Sequence, residues 1–202
     1  MKKKLFYNLV FILVVFLMVN YSYCILSGNT SSDELTDSEK FLIKKFGYGE
    51  NYVKRWPDGI VYVYNGTGNP YKSKCLPKII KQINEIIGNK TIFQLSNNKK
   101  ISKVVFVRYA NVKYLAEWHV SWKGYNAEEW VISISNLDNL TNWDAEELFL
   151  SIFTYIAGFN CKADERKYGK WQNFSIDKNI KNMLKALYKV PPGYNLLTGE
   201  VE

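Results

Sequence analysis

Three side chains with donor atoms, Ser151, Tyr155 and Cys161, surround a glycine at position 158. If this stretch is helical, Ser151 and Tyr155 share one face because they are four residues apart. A zinc ion needs three or four N, S or O donors around one point. Of these three residues only Cys161 is a good zinc ligand. Ile152, the neighbour of Ser151, has no donor atom in its side chain. The set therefore predicts a site without metal, cofactor or catalytic group.

The single histidine of the chain, His119, limits the remaining metal chemistry. Zinc held by three histidines is excluded by this count. The spacing of Cys75, His119 and Cys161 resembles no zinc knuckle. We therefore expect His119 to be a surface or partly buried side chain.

Carboxylates offer a second kind of chemistry, a hydrolase without zinc. Glu146 and Glu147 lie near the start of the helix expected before Gly158, and Asp164 follows the turn. A glycosidase needs two carboxyl groups roughly 5 to 9.5 Å apart across a cleft. Acidic residues at a helix N-terminus are also stabilised by the helix dipole, without any catalytic role. The hydrolase is therefore kept as the alternative to a non-catalytic protein with a binding role or a role in the cell envelope or surface.

The stretch EWHVSWKGY, residues 117–125, combines aromatic and polar side chains. Exposed Trp and Tyr rings stack on sugars or fill a pocket of a partner protein, so this stretch is the candidate binding surface for an unknown protein or carbohydrate. Its alternation also fits a half-buried strand. The surface would consist of Trp118, His119, Trp122 and Tyr125. The other tryptophans, expected to pack in the core, are Trp56, Trp130, Trp143 and Trp171.

The cysteines indicate the compartment. Cys24 lies at the end of an apolar leader, which leaves Cys75 and Cys161 as the candidate disulfide in an oxidising environment. Two buried free thiols are the other interpretation.

The elements that would position these residues follow from capping and periodicity. Thr141 and Asp144 are spaced as in a capping box, and Gly158 marks the end of the same helix. We expect an α+β fold with a twisted mixed sheet of about four strands and packing helices, because the first strand–helix–strand unit is long enough for a parallel crossover. The other helices are expected at residues 35–46, at 76–87 and after a cap at Ser175, and the strands at 60–64, 91–95, 103–109 and 130–135.

The helix, its glycine and the turn resemble the active-site segment of the metzincin zinc proteases, H-E-x-x-H-x-x-G-x-x-H. With Gly158 as the anchor, Ser151, Tyr155 and Cys161 take the places of the three histidines, and Ile152 takes that of the glutamate. The resemblance implies a metzincin-like (zincin-like) architecture whose protease positions are vestigial. On such a fold, residues 118–125 would lie near the edge that borders the substrate cleft.

A further resemblance covers roughly residues 41–195, to a family of uncharacterised bacterial exported proteins and candidate lipoproteins with a degenerate metzincin-like domain. Members tend to have E-E-L-x-Q-x-L-G in place of the protease motif, from which SIFTYIAG at 151–158 departs further. The resemblance implies a fold but no activity. The matching pieces are FGYGE at 46–50, KRW at 54–56, INEI at 83–86, LY at 187–188 and PGY at 192–194.

The N-terminus predicts export. Three lysines at 2–4 precede an apolar run, so residues 1–24 are predicted to be a signal peptide or an N-terminal membrane anchor, with lipidation of Cys24 as a third possibility. A spacer at 25–34 and a single domain at 35–202 follow. The net charge of +8 falls to +5 without the three lysines. The basic residues are scattered, so no nucleic-acid partner is expected, and contact with a membrane is expected only through residues 1–24.

Overall fold

The computed structural model describes residues 34–88, 90–108, 115–135, 137–160 and 174–202. These ranges contain four helices and five strands, which confirms the predicted α+β class. In chain order the elements are α1 (Asp37–Phe46), β1 (Gly59–Gly66), α2 (Leu76–Ile87), β2 (Thr91–Leu95), β3 (Val104–Arg108), β4 (Ala116–Lys123), β5 (Asn126–Ile134), α3 (Asn142–Ile156) and α4 (Lys178–Leu187).

The strands form one mixed sheet in the order β2-β1-β3-β5-β4. β1 pairs in parallel with β2, as predicted for the first strand–helix–strand unit, and β3 pairs in parallel with β1 and β5. Only β4, at the edge, runs antiparallel to its neighbour β5. The observed sheet therefore has one strand more than the four predicted, Ala116–Lys123, and this strand overlaps the stretch 117–125 predicted as an aromatic binding surface.

Helix α3 begins and ends as its sequence predicts. The Thr141 hydroxyl accepts from the backbone N–H of Asp144 at 3.1 Å, and the Asp144 carboxylate accepts from the backbone N–H of Thr141 at 3.2 Å. Beyond Ile156, Gly158 takes a φ of +119° and donates its N–H to the Tyr155 carbonyl. Phe159 then bridges to Gly47, just after α1.

Helix α4 begins two residues later than predicted. Its N-cap is Asp177, whose side chain accepts from the backbone N–H of Ile180 at 2.9 Å, so the predicted cap at Ser175 is wrong. Both residue types are good N-caps, but a carboxylate also interacts favourably with the positive end of the helix dipole.

One face of the sheet is covered by helices. The ring of Phe106 on β3 packs on Phe149 and Phe153 of α3, with ring centroids 5.5 and 6.3 Å apart, and Phe93 on β2 packs on Phe153 at 5.3 Å. Helix α2 contributes an apolar stripe that includes Ile79 and Ile83, both buried. Because the buried residues of α2, α3 and the strands belong to one hydrophobic cluster, the sheet and the two helices form one core.

A buried arginine joins the lead-in segment of β1 to distant elements. Arg55 is 1% exposed, and its Nε donates to the Val190 carbonyl after α4 at 3.0 Å. Its Nη2 pairs with Asp58 at 2.9 Å, and its guanidinium lies 4.9 Å from the centre of the Tyr188 ring. The next residue, Trp56, donates its indole N–H to the Ile156 carbonyl at the end of α3.

We predict that Gly158→Ala destabilises the protein more than a glycine replacement at an open site. An added Cβ would lie 2.3 Å from Cδ2 of the buried Leu187, and the backbone φ of +119° is one that residues other than glycine rarely adopt. The expected loss in the free energy of unfolding, measured in urea, is about 2–4 kcal/mol.

Gly124→Ala is the matched control, since Gly124 also has a positive φ, +58°, but nothing lies within 4 Å of its added Cβ. Its expected loss is about 1 kcal/mol, the cost of a left-handed conformation alone. Equal losses for the two variants would contradict the packing of Gly158 against α4.

Candidate functional site

The residues predicted to occupy the protease-motif positions lie on or just after α3, a helix that is buried on most of its surface. Ser151 is buried, and Ile152 is 3% exposed within the hydrophobic core. Tyr155 is half-buried at the side of that core. Ser151 and Tyr155 lie one turn apart on the same face of α3. Cys161 lies outside the described residues, so the structure places four of the five vestigial positions.

Tyr155 connects α3 with the edge of the sheet. Its ring stacks on Trp118 of β4, with centroids 5.5 Å apart and an angle of 26° between the rings. On its other side Tyr155 packs against Phe159 at 5.5 Å, and Phe159 stacks on Phe46 at 5.8 Å. Aromatic pairs of this geometry stabilise by about 0.5–1.5 kcal/mol beyond the area they bury. The residue at the second histidine position therefore supplies packing.

The structure places two of the four candidate surface residues on the same face of the sheet. Directly opposite residues of an antiparallel pair share one face, and Trp118 lies opposite Ile132 while Trp122 lies opposite Ala127. Ile132 and Ala127 are both buried, so Trp118 and Trp122 are on the helix-covered face. His119 lies opposite Val131 and points to the other face.

Tyr125, the fourth candidate, is engaged in contacts at the β4–β5 turn. Its ring stacks on Tyr52 at 5.0 Å, and its hydroxyl donates to Glu202 Oε2 at 2.7 Å. The hydrogen bond to the Glu202 carboxylate raises the pKa of Tyr125 to about 12. Hydrogen bonds from Tyr52 and Tyr125 lower the pKa of Glu202. Tyr125 therefore holds the segment after α4 against the turn.

Sequence reasoning missed Tyr48, which lies between two tryptophans of the sheet. Its ring is 5.5 Å from that of Trp122 and 5.9 Å from that of Trp130. Burial, with a smaller contribution from Tyr155, raises the pKa of the Tyr48 hydroxyl. The segment of Tyr48 has no regular period, and a bridge between Gly47 and Phe159 joins it to the turn after α3.

Among the tryptophans expected in the core, Trp56 and Trp130 are buried, as predicted. Trp143 is 71% exposed, so its assignment to the core is wrong. It follows the Thr141 cap on the outward side of α3, and its indole Nε1–H donates to Glu147 Oε1 at 2.7 Å. Trp171 lies outside the described residues.

Two of the three acidic residues of the hydrolase alternative, Glu146 and Glu147, line a cavity of about 350 Å³. Glu146 pairs with Lys78 of α2 at 2.7 Å, and Glu147, 8% exposed, accepts the hydrogen bond from Trp143. Asp164 lies outside the described residues. The structure thus brings Glu146 and Glu147 to one cavity without placing the third carboxylate.

Within the described ranges, no three His, Cys, Asp or Glu side chains are grouped as a metal ion would require. None of the helices in the same ranges has the length and apolar character needed to cross a membrane.

Cys75 is a free, buried thiol at the N-terminus of α2. The predicted disulfide with Cys161 is therefore not formed in the structure, and Cys161 itself lies outside the described residues. The Cys75 Sγ lies 3.6 Å from the Lys72 carbonyl. Burial, and then the nearby Glu146 carboxylate, raise the pKa of the thiol from its ordinary 9.0 to about 11.

The chain matches no protein-family model, no curated protein and no solved structure.

We predict that Cys75 is protonated and slow to alkylate at pH 8. With a pKa of about 11, its thiolate is roughly 100-fold scarcer at pH 8 than that of an ordinary cysteine. A Cys24→Ser/Cys161→Ser variant, which retains only Cys75, should react slowly with iodoacetamide when folded, and the rate should rise up to about pH 11.

The same variant in urea is the control, because an unfolded Cys75 should react at the ordinary rate. Equal rates in the folded and unfolded states would contradict the buried thiol. Mass spectrometry of the unreduced wild type should give the mass expected for free thiols at Cys75 and Cys161. A mass lower by two hydrogens would show that the predicted disulfide forms.

Proposed function

We propose that this chain is an exported, non-catalytic domain of metzincin-like architecture that binds an extended polypeptide along the free edge of β4. The observation that carries the binding role is Trp118, which is 46% exposed on the edge strand while its ring is held by Tyr155. A fixed aromatic ring beside a backbone edge with which no described strand pairs combines the two features of strand addition, backbone hydrogen bonds and a side-chain contact.

The architecture is supported by the arrangement around α3. A parallel strand–helix–strand unit begins the sheet, and α3 follows its last strand and ends at Gly158. The edge strand faces α3 across the Trp118–Tyr155 contact, where the resemblance places the border of a substrate cleft. Export rests on the sequence of residues 1–24, as a signal peptide or an anchor.

The non-catalytic role is supported by the side chains at the motif positions. Ile152 stands where the protease glutamate would act as a base, and it is buried in the core. Tyr155 uses its ring for packing between Trp118 and Phe159. Burial of an isoleucine side chain stabilises by roughly 1.5–3 kcal/mol, so the helix gains stability where a zinc protease would place charge.

The choice of β4 is supported by a difference between the two edges of the sheet. At the β2 edge, the Asn84 side chain of α2 donates to the Phe93 carbonyl at 2.9 Å and accepts from the Phe93 N–H at 2.9 Å. This amide occupies the backbone groups with which a further strand would pair. Among the described strands, β4 pairs only with β5. The β4 edge therefore offers the longer row of available backbone groups.

A hydrolase that uses Glu146, Glu147 and Asp164 is the second candidate, because Glu146 and Glu147 line one cavity. Their contacts with Lys78 and Trp143 also give each a structural role. Glu147→Gln compared with the wild type on chromogenic glycosides and esters tests this candidate, since a carboxylate enzyme should lose at least about 100-fold in activity.

The binding proposal is tested with peptides selected on the purified wild-type domain from a random-sequence phage library. Trp118→Ala should weaken their binding by about 10-fold or more, because it removes an exposed aromatic contact. Hydrogen exchange should show protection at residues 116–123 when the peptide binds, as expected for added backbone hydrogen bonds.

Trp143→Ala is the matched control, because it also removes an exposed tryptophan but lies on α3. It should leave peptide affinity unchanged. Selected peptides that protect other segments, or that bind Trp118→Ala as tightly as the wild type, would refute strand addition at β4.

A further inference from the structure

The cavity beside the first two turns of α3 has a chemistry that strand addition at β4 does not use. Its volume is about 350 Å³, within the range of small-molecule sites. Four of its lining residues come from α3, and two come from the segment that leads into α4. The lining residues are Trp143, Glu146, Glu147, Leu150, Phe174 and Ser175.

Trp143 is an exposed side chain at the wall of this cavity. A tryptophan has roughly 150–250 Å² of surface to bury, yet this side chain remains 71% exposed. Its orientation is fixed at the indole edge, where Nε1–H donates to Glu147 at 2.7 Å. An anchored ring that is mostly exposed can stack on a flat apolar surface with little further loss of side-chain entropy.

The polar groups of the cavity are mainly hydrogen-bond acceptors. Glu146 and Glu147 contribute carboxylate oxygens, which form stronger hydrogen bonds than neutral acceptors do, and Ser175 adds a hydroxyl. Among the described lining residues none is cationic, although Lys78 pairs with Glu146 from α2. Leu150 and Phe174 supply apolar surface.

We propose that this cavity binds a neutral saccharide. The C–H face of a pyranose ring would stack on the Trp143 indole, and its hydroxyl groups would donate to Glu146 and Glu147. A saccharide has both the donors and the apolar face that the lining requires, whereas an organic cation would compete with Lys78, which already neutralises Glu146. The proposal concerns a surface separate from β4 and does not depend on strand addition.

An array of immobilised neutral oligosaccharides, built from glucose, galactose, mannose and N-acetylglucosamine, tests the proposal with the wild-type domain. Calorimetry with the strongest array ligand then gives the affinity. Trp143→Ala should weaken binding by about 10-fold or more, and Glu147→Gln should weaken it less, since the amide keeps one acceptor oxygen.

Trp118→Ala is the matched control and should leave saccharide affinity unchanged, because Trp118 lies on β4. Circular dichroism melting confirms that Trp143→Ala folds, as expected for an exposed side chain. Absence of binding across the array, or equal losses for Trp143→Ala and Trp118→Ala, would overturn the proposal. Binding of tetramethylammonium or lysine methyl ester without any saccharide would overturn it in favour of a cation site.

Discussion

The contacts of Arg55 and Trp56 hold the ends of two helices against the sheet. Arg55 donates to the carbonyl of Trp56, before β1, and to the carbonyl of Val190, after α4. The Trp56 indole donates to the carbonyl of Ile156 at the end of α3. A buried guanidinium is costly unless its donors are satisfied, so the chain around it has few alternative arrangements. The end of α3, and with it Tyr155 and Gly158, is therefore fixed relative to β1.

That fixed position determines which contacts the side chains near the end of α3 make. Once the end of α3 is held, Tyr155 meets Trp118 on the far edge of the same sheet. Phe149 and Phe153 face the central strands on the opposite part of the helix. The helix is stabilised by packing along its length. Of the residues near its end, Tyr155 adds an aromatic contact with the edge of the sheet.

The features that sequence reasoning predicted are those determined by neighbouring residues. Thr141, Asp144 and Gly158 define α3 through local hydrogen bonds and one backbone angle, so its limits could be predicted. β4 could not be recognised with the same certainty, because its aromatic and polar side chains also fit an exposed binding surface. Its pairing with β5 also decides which face each aromatic ring occupies.

The exposure of Trp143 could have been predicted from the sequence. Trp143 and Ile152 are nine residues apart, which is about two and a half helical turns, so they lie on opposite sides of α3. Since Ile152 belongs to the apolar stripe, helical phase alone places Trp143 away from it. Trp143 was wrongly assigned to the core because the hydrophobicity of tryptophan was considered without its position around the helix axis. The cap of α4 is different, because Ser175 and Asp177 both satisfy the local rule and only the packing of the helix distinguishes them.

Opposite charges near the two ends of β4 also limit what could pair with this edge. Exposed Glu117 and Lys123 lie close to these ends, which disfavours unselective pairing between sheet edges. A partner strand would match residues 116–123 and place a side chain beside Trp118. Selectivity would come from that one aromatic contact and from the two charges, because backbone hydrogen bonds do not distinguish one sequence from another.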